Sequence, residues 1–159
     1  MECYEGATMI KTFRGQIVDG GQDTIVLHTN NGSTGYRIVN LRAIPNSVGT
    51  VTVEGIFQIW KVEQTTVPTS SATVDFSDNT LLGVAVCRGS TDVGAYGTDD
   101  HVIFDKEIFN QDIFITYTDN QGTEPGNYYI ELEQIKLDLS ENTVATLKDI
   151  RNETAVPLG

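Results

Sequence analysis

Residue types that commonly do chemistry are sparse in this chain of 159 residues. The two histidines are His28, in a strand-like run, and His101, which follows Asp99 and Asp100; such a pair is usually structural. The sequence holds no nucleophile elbow, zinc-helix motif, phosphate-binding loop or dinucleotide fingerprint. Nothing fixes two carboxylates at the separation that glycoside hydrolysis needs. The sequence therefore predicts a protein that is not an enzyme.

Acidic turns are the better candidates for ligand chemistry. One turn holds Asp75 and Asp78, and another stretch holds Asp92 and the pair Asp99 and Asp100. Their carboxylate and carbonyl oxygens could chelate a hard cation such as calcium. Neither stretch matches the EF-hand loop, and turns need Asp, Asn and Ser in any case. We expect no cofactor, with calcium as the alternative.

The charge balance excludes several classes of partner. The net charge is −12, from 22 acidic and 10 basic side chains. Nucleic-acid binding needs Lys and Arg to neutralise phosphates, and anionic membranes repel an acidic surface. We therefore predict neither nucleic-acid nor membrane partners. The two cysteines, Cys3 and Cys87, form neither a disulfide framework nor a zinc motif.

The first eight residues, MECYEGAT, carry two glutamates and no apolar core, so they are not expected to be a signal peptide. No run is long enough to span a bilayer. These features predict a protein made in a reducing cytoplasm and not secreted. Met9 could be a second start site, because the strand pattern begins just after it.

Alternating apolar residues dominate the rest of the chain. About eight β-rich runs separated by Gly, Pro and Asn turns, followed by one helix, predict an all-β fold. We expect an antiparallel β-sandwich, jelly-roll-like, with a short C-terminal helix. The first two runs, residues 10–18 and 24–29, are predicted to form a hairpin around Gly20 and Gly21.

Two runs change the parity of their apolar residues. The first has Tyr36 and Ile38 on one face and then Val39, Leu41 and Ala43 on the other. The second has Tyr128, Ile130 and Leu132, followed by Ile135, Leu137 and Leu139 on the opposite parity. A change of this kind predicts a bulge, a bend or a strand that passes between sheets.

We divide the chain into a leader or arm (residues 1–8), a β-sandwich domain (9–139) and a C-terminal helix and tail (140–159). Ser140 is the predicted N-cap of the helix. Val144, Leu147 and Ile150 recur at intervals of three and form a narrow apolar stripe. That stripe could dock on the subunit's own sandwich or contact another protein, and the sequence leaves both readings open.

Several stretches resemble a group of small virion proteins of marine bacteriophages. They are MIKTFRGQIVDGGQD, VDFSDNTLLG, IFDKEIFNQDIFITYTD and NYYIELEQIKLDLSENTVATLKDIRN. The resemblance extends over most of residues 9–152 and is most specific in the C-terminal half. It implies a structural protein of a phage particle, without a defined active site.

Together these features predict a non-enzymatic structural component of a bacteriophage virion. We expect a capsid subunit in the shell, at a vertex or as a decoration or cement protein. It would form a homo-oligomer, contact other virion proteins and reside in the virion. The protein-contact candidates are Val93 and Tyr96 in the irregular stretch 89–100, with Val144, Leu147 and Ile150. The alternative is a carbohydrate-binding attachment module on a tail or head fibre, with Tyr96 as its sugar platform.

Overall fold

The computed structural model describes residues 8–90, 100–104 and 107–154, with the backbone alone for residues 139 and 151–154. Within these ranges the chain forms a series of strands followed by one helix. The elements are β1 (Met9–Ile17), β2 (Gln22–Ile25), β3 (Thr34–Pro45), β4 (Val53–Trp60), β5 (Leu81–Gly89), β6 (Asp100–Ile103), β7 (Ile113–Asp119), β8 (Gly126–Lys136) and α1 (Leu139–Thr154).

The strands form two antiparallel sheets packed as a sandwich. One sheet has the order β1-β8-β3 and the other the order β2-β7-β4-β5-β6. The pairs β1 with β8, β2 with β7 and β4 with β5 follow the order of a long hairpin rolled up into a jelly roll. The predicted all-β sandwich with a C-terminal helix is therefore confirmed. The predicted hairpin between the first two strands is wrong, because β1 and β2 lie in different sheets.

The jelly roll has an isolated β-bridge beside β3 in place of one full strand pair. Strand β6 pairs with β5 in the larger sheet. Further along the chain, Tyr36 in β3 and Phe109 exchange two backbone hydrogen bonds of 2.8 and 2.9 Å. This bridge places residues 107–110 along the edge of the smaller sheet, where α1 contacts Glu107 and Asn110.

The predicted change of face in β3 is a β-bulge. The register against β8 shifts between Ile38 and Asn40. Ile38 and Leu41 consequently both face the core, with 3% and 0% of their surface exposed. The extra residue is Val39, which is 41% exposed and does not join the core as predicted.

Strand β8 contains no such irregularity. Its register against β3 advances by one residue at a time along β8, so the predicted bulge or change of sheet is wrong for this strand, and Leu137 and Leu139 lie beyond its end at Lys136. Ile135 pairs with Gly35, and a Cβ on Gly35 would lie 2.9 Å from Ile108 and 3.1 Å from Leu137. The apolar residues change face because the outer face of the small sheet is covered by other apolar groups at this end.

The core lies between the two sheets and leaves little spare room. Tyr117 is fully buried and its ring fills the space left by two glycines, Gly55 and Gly126. A Cβ on Gly126 would lie 2.5 Å from the ring of Tyr117 and 2.8 Å from Phe57. A side chain at this position would therefore force the most densely packed part of the core apart.

The outer face of the larger sheet is covered by the protein's own loop, residues 61–80. The Thr118 hydroxyl donates to the carbonyl of Pro68 at 2.6 Å, and the Ala72 N–H donates to the side chain of Asn120 at 2.9 Å. Because of this coverage, the opposite sheet and α1 offer the more accessible surfaces for an interaction.

Candidate functional site

Helix α1 is attached to the sandwich through a cluster of buried charges. The ammonium group of Lys61, just after β4, is paired with Glu107 and lies 3.6 Å from Asp149 of the helix. The side chains of Lys61 and Asp149 are only 2% and 4% exposed. Lys148 of the helix contacts the same Glu107 carboxylate at 2.7 Å. Charged groups thus connect α1 to the end of β4 and to the segment before β7.

Asn110 extends this polar contact along the helix and is completely buried. Its backbone N–H donates to Asp149 at 3.2 Å, and its side-chain amide donates to the Thr146 hydroxyl at 2.8 Å and to the carbonyl of Gly32 at 3.2 Å. Buried polar groups are costly unless they are paired. The network therefore fixes both the position and the rotation of α1.

Burial and ion pairing act differently on the two carboxylates of the cluster. Burial raises the pKa of Asp149, against the opposing effects of the Asn110 N–H and of Lys61. Burial also acts to raise the pKa of Glu107, but hydrogen bonds from Lys148 and Lys61 outweigh it and leave that pKa lowered. Asp149 is thus the carboxylate of the cluster in which burial outweighs the groups that favour the ionised form.

The start of the helix differs from the predicted cap. The carboxylate of Asp138 accepts hydrogen bonds from the Glu141 N–H at 2.7 Å and from the Ser140 hydroxyl at 2.9 Å. The Glu141 carboxylate in turn accepts the Asp138 N–H at 2.9 Å. This is a reciprocal capping box. Asp138 is therefore the N-cap, and the prediction of Ser140 is wrong because the helix begins at Leu139, two residues earlier than a cap at Ser140 implies.

The apolar stripe of α1 faces away from the sandwich. Val144, Leu147 and Ile150 are 65%, 55% and 49% exposed, whereas Ala145 and Asp149 are 8% and 3% exposed. The interpretation that the stripe docks on the subunit's own sandwich is therefore wrong. We call Val144, Leu147 and Ile150 the outer row of α1. Exposed apolar groups that share one face of an anchored helix are typical of an interaction surface.

A groove of about 540 Å³ separates α1 from the end of β8. Apolar side chains line most of it, and polar or charged side chains stand at its rim. The apolar members are Ile108, Ile135, Leu137, Val144 and Ala145, and the others are Lys136, Ser140, Glu141 and Lys148. The groove and the outer row of α1 share Val144.

The other predicted candidates fall into two groups. Val93 and Tyr96 lie in residues 91–99, outside the described part of the chain, and the described candidates lie away from α1. His28 is on the surface, with Nδ1 2.7 Å from Asp112. The carboxylate of Asp75 accepts hydrogen bonds from the N–H and hydroxyl of Ser77, within its own turn. Among the described residues, no group of three or more His, Cys, Asp or Glu could hold a metal ion.

The buried cluster was not predicted from the sequence. Lys61 follows a strongly apolar strand and could have been noticed as a lysine that needs a buried partner. Its partners Glu107 and Asp149 are distant in sequence, so no local pattern joins them. The outer row, by contrast, was visible as a stripe, although its direction was not.

Comparisons with known proteins add little. No protein-family model and no curated protein matches the chain. A similar solved chain comes from Bacillus endospore appendages, described as a novel family of disulfide-linked pili. It is 12% identical with a TM-score of 0.32, and the match covers 87% of this chain and 97% of that chain. A likeness this weak does not indicate a function. Among the described residues, no helix is long and apolar enough to cross a membrane.

Proposed function

We propose that the chain is a non-enzymatic structural subunit of a bacteriophage virion, a capsid component that makes one protein–protein contact many times. The outer row of α1 carries the proposal. Val144 and Leu147 are more than half exposed, although the helix that bears them is anchored from behind by buried charges. A rigid helix that presents apolar groups to solvent is suited to association with another protein surface.

The charge of the chain opposes its self-association. A net charge of −12 repels free copies at long range, so the apolar contact of α1 has to overcome that repulsion, which dissolved salt screens. Repeated use of one small subunit is the usual route to a closed shell. The resemblance to small phage virion proteins supports the proposal that the subunit belongs to a phage particle.

Sedimentation velocity over a range of protein concentrations tests the contact. We expect the wild-type chain to self-associate and Leu147→Glu to weaken that association at least tenfold, because a charge would enter the apolar centre of the interface. Val18→Glu is the matched control: Val18 is 68% exposed and lies at the far end of β1. Circular dichroism should be unchanged for both variants.

Two results would overturn the proposed contact. One is a wild-type chain that stays monomeric at every concentration; the other is equal association of Leu147→Glu and the wild type. Binding to a glycan array tests the alternative function, a carbohydrate-binding attachment module. Binding of a glycan that is lost in Tyr96→Ala would replace the packing role with an attachment module.

A further inference from the structure

The outer face of the small sheet carries a row of two arginines on either side of a tyrosine. Tyr129 lies on the central strand β8, and it pairs with Arg14 of β1 on one side and with Arg42 of β3 on the other. The three side chains share the outer face, because Tyr128 and Ile130 of β8 point into the core. Both arginines are exposed. Neighbouring strands lie about 4.8 Å apart, so both guanidinium groups are within reach of a ligand on the Tyr129 ring.

A depression of about 410 Å³ opens at the β1 side of this row. Its volume lies within the range of about 300–1,000 Å³ that is usual for ligand pockets. The described residues that line it are Arg14, Gly15, Asn127, Tyr128 and Tyr129. The charge that these residues bring is the guanidinium group of Arg14, and none of them is acidic. On a chain of net charge −12, this lining favours an anionic ligand.

The acidic groups of the same face are engaged by other side chains. Glu133 is ion-paired with Arg37. The carboxylate of Glu131 accepts a hydrogen bond from the Tyr129 hydroxyl at 2.8 Å, on the side of Tyr129 away from the depression. Where β3 ends and β8 begins, Glu124 accepts a hydrogen bond from the Ser47 hydroxyl at 3.0 Å. Within the described ranges, no ion-pair partner is found for Arg14, which stays available for an anion.

The depression also offers a hydrogen-bond donor and an aromatic ring. The side-chain oxygen of Asn127 accepts a hydrogen bond from Gln16 at 3.2 Å, so the amide N–H groups of Asn127 point away from Gln16. No acceptor is found for these N–H groups in the described part of the chain. The hydrogen bond to Glu131 fixes the direction of the Tyr129 ring. A guanidinium group, an amide donor and an aromatic face together suit a ligand with a carboxylate, hydroxyl groups and an apolar ring face.

We propose that this depression binds a carboxylated sugar unit, such as a hexuronic acid of a polysaccharide. The carboxylate pairs with the Arg14 guanidinium group, whose planar fork matches it. The C–H face of the sugar ring packs on the aromatic face of Tyr129, and a ring hydroxyl accepts a hydrogen bond from Asn127. A neutral sugar leaves Arg14 without a partner, and a simple carboxylate such as acetate leaves Tyr129 unused. The proposal does not depend on the proposed function, because one copy of the chain forms the whole site.

Titration followed by two-dimensional NMR tests the site with three matched probes. Methyl glucuronide carries the carboxylate and the ring, methyl glucoside carries the same ring without the carboxylate, and acetate carries the carboxylate alone. We expect the glucuronide to shift the amide signals of residues 14–16 and 127–129. Because a charge-assisted hydrogen bond and the ring contact are both needed, the glucoside and acetate should each bind at least about tenfold more weakly.

Substitutions locate the binding. Arg14→Gln should weaken glucuronide binding at least about tenfold, whereas Arg88→Gln should leave it unchanged, since Arg88 is an arginine on the larger sheet with a side chain that is 59% exposed. Tyr129→Ala should weaken it as well, with unchanged circular dichroism. The proposal is overturned if millimolar glucuronide shifts none of these amides, if the glucoside or acetate binds as tightly as the glucuronide, or if Arg88→Gln loses as much as Arg14→Gln. Each result stands whether or not Leu147→Glu weakens self-association.

Discussion

Replacement of Lys61 by methionine tests how α1 is held. Lys61→Met keeps most of the side-chain volume and removes the charge. Glu107 retains Lys148 as a partner at 2.7 Å, but Asp149 loses Lys61, whose ammonium group is 3.6 Å away. An ion pair on the surface contributes about 0.2–1 kcal/mol. Removal of one partner from a buried pair costs about 3–5 kcal/mol, because a charge is left uncompensated. With Lys61 and Asp149 side chains 2% and 4% exposed, we expect the larger cost.

The stability lost in Lys61→Met should depend on pH in a defined direction. Burial raises the pKa of Asp149 and Lys61 opposes that rise, so the variant should raise it further. In the folded Lys61→Met variant, Asp149 then binds a proton at a higher pH than it does in the unfolded chain. Its ionised carboxylate therefore costs most stability above the folded pKa, and the difference from wild type shrinks as the pH falls through that pKa. Loss of Lys61 also raises the pKa of Glu107, because Lys61 helps to lower it in the wild type. Glu107 therefore adds to the same dependence of stability on pH.

Two assays measure the effect. A loss of about 3–5 kcal/mol lowers the Tm of a domain of this size by roughly 6–20 °C, and hydrogen exchange should become faster in residues 139–150. The control Lys136→Met removes an exposed lysine and should change neither. Addition of Asp149→Asn to Lys61→Met should recover part of the loss. The reasoning is refuted if Lys61→Met costs less than about 1 kcal/mol, since that is the range of surface pairs.

Five further substitutions, grouped into three tests, examine other parts of the account by chemical denaturation. Tyr117→Phe should be neutral or stabilising, because no partner is found for its buried hydroxyl among the described residues. Tyr128→Phe should cost about 1 kcal/mol of stability through loss of a 3.2 Å hydrogen bond. A larger loss in Tyr117→Phe than in Tyr128→Phe would contradict these hydrogen-bond assignments. Gly126→Ala should cost about 1–3 kcal/mol or more, because its Cβ would lie 2.5 Å from a buried ring, and wild-type stability would disprove the close packing. Asp138→Ala should cost about 0.5–2 kcal/mol and Ser140→Ala less; equal costs would argue against Asp138 as the cap.

Local patterns in the sequence were enough to predict the strands and the fold class. Alternation in β7 and β8 marks the apolar face of each strand that lies in the core, and the change of parity around Ile38 marks the bulge in β3. Strand pairing was predicted less well. The pairs β1 with β8 and β2 with β7 join distant parts of the chain, so a turn signal such as Gly20-Gly21 suggested a hairpin that does not form.

The candidate site shows the same limit. The spacing of Val144, Leu147 and Ile150 predicts an apolar stripe, but spacing does not say which face of a helix meets the protein. Here the docking face is polar, because Asp149 finds Lys61 and Asn110 at the end of the sandwich. Partners of this kind are brought together by the tertiary fold alone. The outer row consequently stays exposed, contrary to the usual rule that the apolar face of a helix is buried.

The central claim is that this chain is a repeated building block of a virion. Quantitative mass spectrometry of purified particles, from a phage whose genome is found to encode the chain, tests that claim most directly, with the copy number expressed relative to the major capsid protein. The account predicts many copies per particle, in a fixed ratio to the capsid protein and reduced by Leu147→Glu. Absence of the chain from purified particles would contradict the account.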